Sequence, residues 1–412
     1  MNKYFLISTL AILITGLLNS CKEKQNDTNY KNEITSYSIA DSINQTFEKD
    51  FEKGHLPGFA LSIFTADSIF FMKGYGFSDL ENKKPYDENS VQGIASISKT
   101  LIAVSLMKAQ EDGLLDLDEE VNSILPFKVT NPYHSSSKIT LRHLATHTSS
   151  ITDDGSYDYA YIFSDDLDKS TFPDVWSKYI EVYNKNQLME MQEFLYNVFD
   201  RKGKWSKKDN FLREKPGTTY EYSNIGAALL AYCNEIKTGV NYKQYSKELI
   251  LDQLEMRNTT WNYKDVNKEN EIKYYNEIYN SVPSYEAITY PDGGLYSTVS
   301  DMTKFLQEMM KGYEGNGKIL NHHNSYKEMM TNQIPHLDNP TGIIWDMDND
   351  CCIGHGGNDF GIATMAFFNP KTKIGKVLFT NIALETEELS DHYYNTFNNM
   401  FKYDEEIEKA SR

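Results

Sequence analysis

The chain has 412 residues, 40% of them apolar and 24% charged, which supplies a sizeable core and excludes disordered, collagenous and coiled-coil compositions. Lys and Arg total 41 against 59 Asp and Glu, a net charge of −18, so the basic footprint of a nucleic-acid-binding protein is absent. At about 150 residues per domain, the length fits one large domain or two ordinary ones.

The first residues carry an address. Lys3 precedes an uncharged run over residues 4–18, short of the roughly 20 residues of a membrane-spanning helix and suited to a signal-peptide core. It ends in Leu18-Asn19-Ser20-Cys21, which resembles a bacterial lipoprotein signal. That resemblance implies removal of residues 1–20, a lipid anchor on Cys21 and a place on the cell-envelope membrane. Residues 21–36 are polar and aperiodic and read as a tether. Of the remaining cysteines, Cys233, Cys351 and Cys352, none has the spacing of a disulfide framework or a zinc site, so buried thiols are expected.

The folded unit is expected over residues 37–405. Ile39, Ile43, Phe47 and Phe51 recur every four residues, predicting a helix over 37–53. Two apolar runs, 58–64 and 68–74, flank Thr65-Ala66-Asp67 as a hairpin. A helix opens at Ser96 and closes at Gly113; shorter ones follow over 116–126 and 141–147. Residues 148–215 form an aromatic, acidic insert with a helix-like centre at 176–199, expected on the rim of the cleft. Helices are predicted over 226–237 and 300–311, strands from 353, over 362–369 and over 375–381, and a last helix over 385–403. Strand pairs at both ends with helices between them predict an α/β (α+β) fold, in which an antiparallel sheet is closed by the two ends of the chain.

Ser96-Ile97-Ser98-Lys99 carries the chemistry. Lysine one helical turn after serine lies on the same face and reaches its hydroxyl, which needs a partner to take its proton. A serine at a helix start also aims backbone N–H groups at a developing oxyanion. Ser135-Ser136-Ser137-Lys138 has the same spacing, but in a turn cluster with no helix to fix it.

Gly93-Ile94-Ala95-Ser96-Ile97-Ser98-Lys99-Thr100 resembles the nucleophile motif of the serine β-lactamase and penicillin-recognising family, in its class C and esterase-like branch. Blocks beginning at Gly113, Leu141, Lys215 and Asp292 follow in the family's order, and the resemblance covers about residues 40–400. It implies a β-lactamase/transpeptidase-like fold with a mostly helical lobe, no cofactor and no metal. Ser96 is then the nucleophile. Tyr222, in Tyr222-Ser223-Asn224, is the general base, and Asn224 supports Lys99 and the acyl group. Either Lys99 or Tyr222 takes the first proton. Three other Tyr-x-Asn matches, at Tyr30, Tyr274 and Tyr393, lack the preceding Pro-Gly turn and following apolar helix.

The family's third element is a Lys-Thr-Gly strand. The literal Lys237-Thr238-Gly239 reads instead as a helix C-cap. His355-Gly356-Gly357 is the better match, with the N–H of Asn358 joining that of Ser96 in an oxyanion hole. Histidine, unlike lysine, is largely neutral at pH 7, so a penicillin carboxylate would lack its usual cation.

His143 and His147 are four residues apart but read as core or capping residues, and Asp153-Asp154 as a solvated acidic pair. The function expected is a monomeric, envelope-anchored serine hydrolase acting through an acyl-enzyme on D-amino-acid peptides, amides or esters, including peptidoglycan-derived ones. The alternatives are a true class C-like β-lactamase and a non-catalytic cell-wall-binding lipoprotein.

Overall fold

Apolar strands from the two ends of the chain meet in one antiparallel sheet. The computed structural model describes residues 39–348 and 351–410, so the expected leader, the expected lipid site Cys21 and the expected tether over 21–36 lie outside the described residues. The sheet has seven strands: β1 (Gly58–Phe64), β2 (Ile69–Asp79), β3 (Lys84–Pro85), β4 (Asp346–Met347), β5 (Ile353–Asp359), β6 (Ile362–Asn369) and β7 (Ile374–Thr380). Their order is β4-β5-β6-β7-β1-β2-β3. The junction of the two ends is the β1–β7 ladder, running from Phe59 opposite Thr380 to Phe64 opposite Gly375. Every residue of β1 and β7 is buried, because both faces of the sheet centre are covered.

One face carries α1 (Ile39–Phe51) and α5 (Glu387–Asn399), which pack Ile43, Phe47, Tyr393 and Phe397 against Phe59, Leu61 and Leu378. The other face meets a larger core around α2 (Lys99–Glu111), α3 (Asn224–Thr238) and α4 (Val299–Tyr313). α2 and α3 are buried on most sides and pack together as the centre of the helical lobe. Ser223 caps α3 by accepting from the Gly226 N–H at 2.9 Å, and Gly239 ends it at φ +71°. Lys237-Thr238-Gly239 is therefore the helix terminus expected of it.

The structure departs from the sequence reading at several points. The helix-like centre at 176–199 is two helices, Ser177–Tyr183 and Met191–Phe199. Asn184 and Asn186, at the break, spend their side chains on Leu167 and on the carbonyls of Asp158 and Tyr161, fastening the insert instead of continuing the helix. Cys351 and Cys352 are not two thiols. They are joined to each other in the turn before β5, with Cα atoms 3.7 Å apart, while Cys233 is a buried free thiol. A bond between adjacent cysteines leaves no spaced pair in the sequence. No helix among the described residues is long and apolar enough to cross a membrane.

Candidate active site

Ser96 sits in a 3-10 turn, Ala95–Ser98, which runs directly into α2. The preceding Ala95 has φ +46°, a left-handed conformation that a residue with a Cβ adopts only when its surroundings hold it there. They do so here. The Ile94 N–H donates to the Leu295 carbonyl at 2.9 Å, the Leu295 N–H to Ser98 Oγ at 3.1 Å, and Thr364 Oγ1 to the Ile94 carbonyl at 2.9 Å. Strand β5 presses on the same turn. A Cβ on Gly357 would lie 2.6 Å from the Ile94 carbonyl and 3.0 Å from the Ala95 Cβ, so glycine is what lets strand and turn touch.

Lys99 begins α2 and is wholly buried. Its Nζ donates to Ser96 Oγ at 3.0 Å, to Asn224 Oδ1 at 2.6 Å and to the Asp292 carbonyl. Burial pulls its pKa down to about 8, against the pull of Asp292 and Asp153, which favour the ammonium. A lysine in that range exchanges its proton near neutral pH.

Tyr222 stands across from Lys99, whose Nζ is 5.1 Å from the centre of its ring. Burial holds the phenol well above its ordinary value, with only the neighbouring Ser96 hydroxyl acting against it. The Tyr222 Oη is buried, with the Ser96 hydroxyl as its polar neighbour. The resting site thus pairs a neutral phenol with a titratable amine. His147 packs on Tyr222 with ring centres 4.5 Å apart, and its Nδ1 accepts from the Ser223 N–H at 3.2 Å. Burial lowers its pKa, so it packs as a neutral ring. His143 belongs to the capping box of Thr140. No cluster of three or more potential ligands that could hold a metal occurs among the described residues.

The remaining expected positions divide between cleft and support. Gly356 and Asn358 line the cleft with Ser96, Tyr222 and Asn224, while Gly357 meets the Ser96 turn. His355 is fully buried, 6.2 Å from the Tyr222 ring between centres, with Nδ1 against the Gly356 carbonyl and 3.8 Å from Asp346 Oδ2. Burial lowers its pKa, leaving a neutral imidazole beside Tyr222. Ser135 lies in a turn and Lys138 pairs with Glu120 at 3.5 Å, with no helix between them, as expected for a chance spacing match.

Two carboxylates were not recognised from the sequence. Asp153, expected in a solvated loop, is 6% exposed and accepts from the Asn224 N–H at 2.8 Å, Asn224 Nδ2 at 2.9 Å, the Ile225 N–H at 3.0 Å and Ser223 Oγ at 3.1 Å. It is a buried anchor for the start of α3. Asp292 is fully buried, takes the Tyr157 hydroxyl at 2.9 Å, and is pushed up to about 7 by burial. Only the spatial return of residues 148–158 to α3 and to Asp292 exposes these roles. The insert over 148–215 builds part of the cleft wall, with Tyr157, Tyr161, Trp176 and Tyr183 among its lining.

A serine with a buried lysine one turn later, a tyrosine opposite and a sheet strand alongside define the class: the fold shared by β-lactamases and penicillin-binding proteins. The chain belongs to the Beta-lactamase family, whose model matches residues 43–398. Among curated relatives, Protein flp of Staphylococcus aureus (strain MW2) is 27% identical over 378 residues, which are 88% of this chain and 67% of the relative. The human mitochondrial serine beta-lactamase-like protein LACTB is 28% identical over 302 residues, 63% of this chain and 54% of that protein. Among solved structures, the octameric penicillin-binding protein homologue from Pyrococcus abyssi superposes with a TM-score of 0.69 at 23% identity, covering 89% of this chain and 78% of that one. D-alanine carboxypeptidase AmpC from Burkholderia cenocepacia gives 0.61 at 17% identity, covering 87% and 98%. These two likenesses establish the fold.

Proposed function

We propose that this protein is a serine hydrolase that acts through an acyl-enzyme on D-amino-acid peptides, amides or esters, held at the cell envelope by a lipid on Cys21. The observation that carries the reading is the 3.0 Å contact between Ser96 Oγ and a buried Lys99 amine whose pKa falls to about 8.

In the first step neutral Lys99 takes the Ser96 proton while Oγ bonds to the substrate carbonyl carbon. The negative charge on the carbonyl oxygen is met by the N–H groups of Ser96 and Asn358. Collapse breaks the bond to the leaving group, which receives a proton by way of Tyr222, and leaves an ester on Ser96. Water then attacks that ester with its proton passing to the same basic groups, and Ser96 is restored with release of the acid. Tyr222, neutral at rest, suits the donor step, so the first proton is assigned to Lys99. The neutral, buried His355 offers no fixed cation to a substrate carboxylate, which favours peptides, amides and esters over penicillins.

The test is covalent labelling of purified wild type and Ser96→Ala with a fluorophosphonate and with a fluorescent penicillin. An adduct with the wild type and none with Ser96→Ala supports the hydrolase. Absence of a Ser96-dependent adduct with either probe would leave the non-catalytic binding protein as the better account. Faster turnover of penicillins than of D-alanyl peptides and p-nitrophenyl esters would make it a β-lactamase.

A further inference from the structure

The cleft in front of Ser96 has a volume of about 230 Å³ and a one-sided charge. No Lys, Arg or His is among its lining residues, whereas Glu277, Asp359 and Glu385 all are. None of these three carboxylates forms an ion pair among the described residues; Glu277 takes the Trp176 indole N–H at 3.1 Å, and Asp359 takes the Phe360 N–H at 2.9 Å and the Tyr161 and Tyr285 hydroxyls. Aromatic faces stand around them. Phe360, next to Asp359, lies 5.4 Å from both Trp176 and Tyr183 between ring centres. The same cavity is lined by Ser96 and Tyr222, so carboxylates, rings and nucleophile share one space.

We infer that the substrate carries a free ammonium group within about one residue of its scissile carbonyl, bound by Asp359, Glu277 and Glu385 against the Phe360 and Trp176 rings. This rests on the hydrolase reading above and names the substrate class of that site. Asp359 lies two residues along β5 from Gly357, which touches the Ser96 turn; at roughly 3.3 Å per strand residue, that is about 7 Å. An α-ammonium lies about 2.5 Å from its own carbonyl carbon, and a hydrogen bond together with the reach of the Asp359 side chain closes the rest. Burial drives Asp359 up to about 6 and Glu385 up to about 7, and for Glu385 the charges of Glu277 and Asp359 add to it. An organic cation relieves that repulsion and gains the ring faces as well. A metal ion is the poorer occupant, since no cluster among the described residues is arranged to hold one.

The test compares D-alanine benzyl ester with its N-acetyl and N-succinyl derivatives, which carry the same ester with a cationic, neutral or anionic nitrogen substituent. We expect kcat/KM to fall about tenfold or more from amine to acetyl and further to succinyl. In Glu385→Gln the amine-to-acetyl ratio should shrink to within about threefold. Binding is measured separately by calorimetry on Ser96→Ala, which does not depend on turnover. There the amine ester should bind about tenfold more tightly than the acetyl ester, and adding Glu385→Gln should narrow that gap. Equal or stronger binding of the acetyl or succinyl ester overturns the inference, even if Ser96 labels normally. Loss of Ser96 labelling with the amine preference intact removes the hydrolase reading alone.

Discussion

At the scale of single residues, the unusual group is Lys99, an amine fully buried among serine, asparagine and carbonyl partners. Burial costs the ammonium its hydration, and nearby carboxylates restore only part of it, which is why its pKa falls to about 8 and no further. The sign follows for both activity and stability. The neutral amine that accepts a proton from Ser96 becomes more abundant as pH rises toward about 8. For the neutral N-acetyl-D-alanine benzyl ester, kcat/KM should therefore climb about tenfold per pH unit below that value and level off above it. Stability should move in the same direction. Between about 8 and the ordinary lysine value of 10.5, the unfolded chain holds a proton that the folded chain does not, so folding is favoured increasingly across that window. A flat rate profile from pH 6 to 9 would mean that Lys99 is not the group that limits acylation.

At the scale of elements, the site depends on the start of α3 being held in place. Asp153 receives four donors from Ser223, Asn224 and Ile225, and one of them, Asn224 Nδ2, belongs to the side chain whose Oδ1 grips Lys99. Asp153→Ala leaves those donors buried without an acceptor. We expect a stability loss of about 3 kcal/mol by denaturant unfolding. We also expect kcat to fall more than KM rises, because Asn224 is freed to release Lys99; Asp153→Asn should recover part of both. A variant as stable and as active as the wild type would show that the Ser223 cap suffices. This element also marks the limit of reading the sequence. Ser96 with Lys99 was legible from spacing within one helical turn, whereas Tyr222 with Asn224, one of four Tyr-x-Asn matches, was singled out by the Pro-Gly turn before it, the apolar helix after it and the family resemblance. Asp153 was not, because its burial is decided by a segment some 70 residues from its partners in sequence. Asp292 opens one of the family blocks, yet its burial and its bond to Tyr157 arise only when the insert folds back. The end-to-end sheet was legible from apolar strand runs, whereas the Asn184–Asn186 break was hidden because its cause is tertiary.

At the scale of the whole molecule, the net charge of −18 and the acidic cleft have the same sign, and ionic strength separates their contributions. A folded chain of this length has a radius of gyration of roughly 22 Å. At 10 mM salt the screening length is about 30 Å, so negative charge from the entire surface attracts a cationic substrate toward the cleft. At 150 mM it is about 8 Å, and only the carboxylates lining the cleft still act. For the amine ester, kcat/KM should drop severalfold between these conditions; for the acetyl ester it should hardly move, and for the succinyl ester it should rise. The preference for amine over acetyl that survives at 150 mM then measures the local site of Asp359, Glu277 and Glu385, and the part lost measures the field of the whole chain. Parallel salt dependence for all three esters would mean that neither charge is sensed by the substrate. Loss of the entire preference at 150 mM would place amine selection in long-range attraction, with no ammonium site in the cleft.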